Sequence, residues 1–200
     1  MAVEAGADAL GFVASMPSGP GILDDARITA LVALPPPPVS RFLLTERLDV
    51  DGIVAHVVRT GADTVQICDH VDPDVLAAVR ASSSARVVAV VHAGAPGAEA
   101  YARAASAHAH ALLLDSGQPG ADFKELGGTG RTHDWQVSRR IVDDSPVPVW
   151  LAGGLKPGNV AAAIEQVRPF GVDLCTGVRT DGALDPEKLH AFLAAVHSCS

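Results

Sequence analysis

Two hundred residues, 48% hydrophobic and 19% charged, describe an ordinary globular chain long enough to bury a real core. A net charge of −8 with no basic block argues against nucleic acid or an anionic membrane surface as partner, and no apolar run reaches the length of a membrane span. The three cysteines, Cys68, Cys175 and Cys199, lack CxxC spacing and predict free thiols in the cytoplasm; the opening segment has no basic start of a secretory signal.

The first eight residues, "MAVEAGAD", predict the last turns of an amphipathic helix stopped by Gly6. Short β-type runs then alternate with Ala-rich helical segments. The predicted strands are 9–15, 40–46, 64–69, 86–93, 111–116, 147–153 and 171–178; helices are predicted near 22–34, 50–60, 73–83, 97–108, 133–143, 158–167 and 185–197. Runs such as "RVVAVVHA" and "ALLLDS" are apolar throughout, as expected of strands covered on both faces of a parallel sheet. Asp72–Pro73 and Asp185–Pro186 read as helix starts, and "RTGAD" as a glycine-stopped helix end. "PPPP" at 35–38 is a stiff connection inside a single domain spanning 1–200.

This alternation predicts an α/β (β/α)8 TIM barrel, with its first strand and most of the first helix absent from this chain. The missing part would be on the order of 15–25 residues by the usual element lengths. An open doubly wound sheet is the alternative, but no GxGxxG follows an early strand.

In such a barrel, chemistry gathers at the carboxyl ends of the strands. "LAGGLKPGNV" (151–160) ends an apolar strand in two glycines before a helix, so bare amides of Gly153 and Gly154 and the helix dipole can take a phosphate. "CTGV" places Thr176 and Gly177 at the next strand end, a second set of small residues for the same anion. Asp115 ends "ALLLD", where its carboxyl would face the barrel mouth; the bland reading is a helix cap. After it comes a long glycine-rich segment through Gly128, Gly130 and Arg131, which reads as a flexible lid contributing to substrate binding.

Together "AVEAGADALGFV", "LLLDS", "GGTGRTHDW", "LAGGLKPGNV" and "GVDLCTGVRTDGALDPEKLHAF" resemble the phosphoribosylanthranilate isomerase family of tryptophan biosynthesis, over essentially the whole chain. The resemblance implies an Amadori rearrangement of N-(5-phosphoribosyl)anthranilate to 1-(2-carboxyphenylamino)-1-deoxyribulose 5-phosphate. It also implies no metal, no cofactor, a phosphorylated small-molecule substrate, and a monomer or homodimer. It makes Asp115 the general acid, which must hold its proton at working pH and so needs partial burial to raise its pKa.

The chain departs from the family pattern at several points. No "KICG" segment supplies the strand-one cysteine base, and "SMPSGPGILDD" lacks the arginine usual after strand two; Arg131 is the candidate substitute for meeting the anthranilate carboxylate. His133 stands where the family has Phe, and Cys175 where it has Ser. Cys68 occupies a position usually held by His, and is read either as a substitute base or as a small buried strand residue. His70 and His92 near strand ends are read as satisfied or exposed histidines rather than metal ligands. Two other functions stay open at this level: a non-catalytic barrel that binds a phosphorylated ligand or partner chain, and a different phosphosugar barrel enzyme.

Overall fold

The computed structural model describes residues 1–17, 20–117 and 134–199. Seven parallel strands pair in sequence order: β1 (Ala9–Val13), β2 (Ser40–Thr45), β3 (Thr64–Ile67), β4 (Arg86–His92), β5 (Ala111–Asp115), β6 (Val149–Leu151) and β7 (Gly171–Val172). Helices α1 (Asp25–Val32), α2 (Val50–Thr60), α3 (Pro73–Ser82), α4 (Ala98–Ser106), α5 (Trp135–Asp144), α6 (Val160–Val167) and α7 (Pro186–His197) complete the units. Among the described residues β1 and β7 are the two edges of this sheet.

The continuous apolar runs are explained by the two faces they bury. Alternate residues Val87, Ala89 and Val91 of β4, with Leu112 and Leu114 of β5, join the core under the helices. Val88, Val90, Ala111, Leu113, Cys68 and Ala152 point the other way and pack against Met16, Phe42, Leu44 and Trp150. In a flat sheet β2 and β6, four places apart, would lie roughly 19 Å from each other. The Phe42 and Trp150 rings nevertheless meet edge to face with centroids 6.0 Å apart. The sheet is therefore curled into a barrel wall with its own apolar interior. Gly171 makes room for this, since a Cβ there would stand 2.7 Å from the Trp150 ring.

Local chemistry sets the element ends. Asp72 and Asp185 cap α3 and α7 by accepting from the amides of Asp74 and of Glu187 and Lys188, each with proline opening the helix. Gly61 stops α2 at φ 73°. Residues 1–5 make one helical turn that closes when the Ala7 and Gly6 amides reach the Ala2 and Val3 carbonyls, both at 3.0 Å, with Gly6 at φ 106°. On α2 the buried residues Ile53, His56, Val57 and Thr60 repeat at helical spacing.

The predicted strand over 171–178 is a correction. Only Gly171–Val172 is strand; a short 3-10 helix follows at Thr176–Val178, and then an antiparallel ribbon of β8 (Arg179–Thr180) and β9 (Ala183–Leu184). Val178 looked like strand in sequence because it is apolar and buried, but it is buried in the core beneath the helices, not in the sheet. Helix α6 also begins at Val160 rather than 158, after a turn through Pro157 and Gly158.

Candidate active site

The strand register brings the polar residues of the mouth into one row. His92 pairs with Asp115, and one step beyond the Leu114–Leu151 and Leu151–Val172 pairs the row continues through Ala152 to Asp173. Asp115 and Asp173 thus come from alternate strands at the same level, the way a barrel builds its interior layers. Ala152 between them adds little bulk.

Asp115 is 8% exposed, and its Oδ1 accepts the Ser116 amide at 2.7 Å. Burial pushes its carboxyl up to about 6; the Ser116 hydrogen bond opposes the rise and the charge of Asp173 adds to it. Asp173 is raised as well, by burial against the opposing Leu174 amide. Asp173 keeps more contact with solvent than Asp115 does. The sequence reading missed Asp173, although "GVD" carries the same signal as "LLLD": a carboxylate closing an apolar strand.

Cys68 is a buried strand residue. Its thiol donates to the Gln66 carbonyl at 3.6 Å, and burial, reinforced by the charge of Asp115, pushes its pKa far above the usual thiol range. It stays a thiol, which removes the reading of it as a substitute base. His92 is also buried, and its Nε2 donates to the Cys68 carbonyl at 3.1 Å. A carbonyl only accepts, so in the neutral ring Nε2 holds the proton and Nδ1 the lone pair. His70 lies against Tyr101, ring centroids 4.0 Å apart.

The glycine turns lie beside the acid on the same rim. Gly153 and Gly154 adopt φ 85° and 64°, conformations that side chains resist. A Cβ on Gly153 would stand 2.9 Å from the Ser116 nitrogen, so the loop after β6 rests directly on the residue that hydrogen-bonds Asp115. A Cβ on Gly177 would overlap the Leu155 carbonyl, which locks the 3-10 helix of Thr176–Val178 onto that same loop. Protein atoms thus crowd both glycines, backbone and side chain of Ser116 at Gly153 and backbone of Leu155 at Gly177, a reason for glycine beyond the ligand approach expected from sequence. Gly128, Gly130 and Arg131, with the lid and His133, lie outside the described residues.

Fold and mouth together define an enzyme of the (β/α)8-barrel class, with an inward acidic residue beside a glycine-turned double loop. Residues 45–195 match the family model of N-(5'-phosphoribosyl)anthranilate isomerase. An N-(5'-phosphoribosyl)anthranilate isomerase from Methanothrix thermoacetophila is 36% identical over 200 residues, covering 99% of this chain and 91% of the relative. The phosphoribosyl anthranilate isomerase of Thermotoga maritima superposes with a TM-score of 0.78 at 26% identity, over 98% of this chain and 91% of that one. Another solved isomerase, in complex with reduced 1-(o-carboxyphenylamino)-1-deoxyribulose 5-phosphate, matches at 25% identity and TM-score 0.75, over 98% and 91% of the two chains. The chain belongs to the phosphoribosylanthranilate isomerase family.

Proposed function

We propose that Asp115 is the general acid, and that the loops after β6 and β7 hold the phosphate, in the isomerisation of N-(5-phosphoribosyl)anthranilate during tryptophan biosynthesis. Family membership supplies the activity and a phosphorylated small-molecule ligand, and it sets aside the other phosphosugar barrels. The residue assignment rests on one observation: a carboxyl at the barrel mouth whose burial lifts it to about 6, so that a useful fraction carries a proton near neutral pH.

In this reading Asp115 protonates the furanose ring oxygen as the C1–N bond gains iminium character and the ring opens. A general base distinct from Asp115 then takes the C2 proton; the C2–H electron pair becomes the C1–C2 double bond and the iminium π pair returns to nitrogen, which gives the enol-amine. The phosphate is gripped by amides around Gly153, Gly154, Thr176 and Gly177, where backbone N–H groups and the amino end of α6 offer positive potential. The short 3-10 helix of Thr176–Val178 stands where phosphate-binding barrels place an extra helix after their last strands. Gly128, Gly130 and Arg131 complete the proposed binding set, Arg131 being the proposed partner of the anthranilate carboxylate.

A cytoplasmic location and a monomeric or homodimeric state belong to the same reading. The location is supported by three free cysteines, and the oligomeric state by a structural neighbour described as a monomeric form of the dimeric phosphoribosylanthranilate isomerase of Thermotoga maritima. The decisive assay follows the fluorescence loss of freshly generated phosphoribosylanthranilate with the wild-type chain and with Asp115→Asn. Wild-type turnover and a loss of at least about a hundredfold in the variant are expected for removal of a general acid. Full activity in Asp115→Asn would remove that residue from the mechanism, and an inert wild type that still binds inorganic phosphate would favour the non-catalytic barrel.

A further inference from the structure

Asn159 sits at the N-cap of α6, the position where an asparagine side chain ordinarily accepts from the second or third amide of its helix. Here it makes no such bond. Its side chain turns back into the preceding loop: Oδ1 accepts the Lys156 amide at 2.8 Å, and Nδ2 donates to the Gly154 carbonyl at 3.1 Å. Both hydrogen-bonding ends of one amide are thus spent on bracing residues 154–156, the turn that carries Gly154 at φ 64°.

This arrangement has two consequences for an anion. The turn is held by a side chain rather than by the ligand, so less ordering remains to be done on binding. The amides of Ala161 and Ala162 at the start of α6 are left uncapped by Asn159, at the positive end of the helix dipole. An ordinary cap would compete for those amides. The brace also runs through Leu155, whose carbonyl abuts Gly177, so it fixes the junction between the two loops of the rim.

We infer that Asn159 is a positioning residue for the phosphate group, shaping the loop after β6 and keeping the α6 amides open instead of capping the helix. The inference rests on the phosphate site proposed above. Serine separates the two roles, because it is as good an N-cap as asparagine yet is too short to span Gly154 and Lys156. For Asn159→Ser the thermal midpoint without ligand is expected to stay near wild type. Its inhibition constant for inorganic phosphate and its KM for phosphoribosylanthranilate should both rise about tenfold, and kcat should change little, as expected when preorganised binding is lost. Asn159→Asp keeps the acceptor for Lys156 but cannot donate to Gly154, and its phosphate inhibition should weaken too. Wild-type phosphate inhibition retained in both variants would overturn the role of Asn159 while leaving the site intact. Absence of phosphate inhibition in the wild type would instead overturn the phosphate site, and the role of Asn159 with it.

Discussion

Asp115 and Asp173 face the barrel interior from alternate strands at one level, with only Ala152 between them in the row. Each negative charge makes the other harder to form, and the charge of Asp173 is one of the causes that raise Asp115 to about 6. An acid must be protonated to act, so kcat/KM should fall as pH rises through that value. Asp173→Asn removes the neighbouring charge, which lets Asp115 ionise more readily. The falling limb of the pH–rate profile should therefore move to lower pH in this variant. A limb that stays in place would show that the two carboxyl groups do not communicate.

The same raised pKa has a stability consequence. An acid whose folded-state pKa exceeds its unfolded value binds its proton more tightly when folded, so stability is lost as pH rises from about 4 to about 6 and stays lost above. A shift from 3.8 to about 6 corresponds to roughly 3 kcal/mol at most. Asp115→Asn keeps an oxygen for the Ser116 amide and removes the buried charge. Urea unfolding should find it more stable than wild type at pH 7.5 by up to that amount, with the gap closing as pH is lowered toward 4. A variant less stable than wild type at pH 7.5 would mean that the buried carboxylate is better compensated than its surroundings indicate.

Much of this site can be read from the chain alone because its signals are local. A carboxylate that closes "ALLL", an Asp–Pro helix start and a glycine after "VVRT" each owe their behaviour to residues a few places away. The missed features are tertiary. Asn159 looks like an ordinary cap until the loop folds back onto it, and Val178 looks like strand because burial beneath helices and burial in a sheet select the same side chain. Gly153 and Gly177 are also crowded by atoms of Ser116 and Leu155, a second reason for glycine that no local pattern shows. The curl of the sheet rests on Phe42 meeting Trp150 across four strands, which no local period encodes.

The contact at Gly177 predicts a substitution that strikes binding and folding together. Gly177→Ala places a methyl group on the Leu155 carbonyl, and backbone on both sides must move apart. Overpacking of this kind costs about 1–3 kcal/mol. Because the 3-10 helix and the loop after β6 would separate at the rim, inorganic phosphate should inhibit the variant less well than wild type. Gly182→Ala is the useful contrast, since a Cβ there meets no atom within 4 Å although its φ of 79° is strained. It should lose stability without losing phosphate inhibition, as read by thermal unfolding and by phosphate titration of the initial rate.

The Phe42–Trp150 contact offers a test of the curled wall away from the chemistry. The two rings close the interior below the mouth, and Trp150 also meets Phe170 at 5.5 Å between centroids. Phe42→Ala removes one side of this stack and opens the indole to water. Complete burial would put the loss at 3–5 kcal/mol, and because Phe42 is only half-buried about 2–3 kcal/mol is expected. Tryptophan emission should shift to longer wavelength in the folded variant, and kcat should change less than stability because Asp115 stands on a different strand. Phe42→Leu, which restores apolar volume but not the ring edge, should recover most of the stability. If Phe42→Ala left both emission and unfolding unchanged, strands β2 and β6 would not be packed across the interior as described.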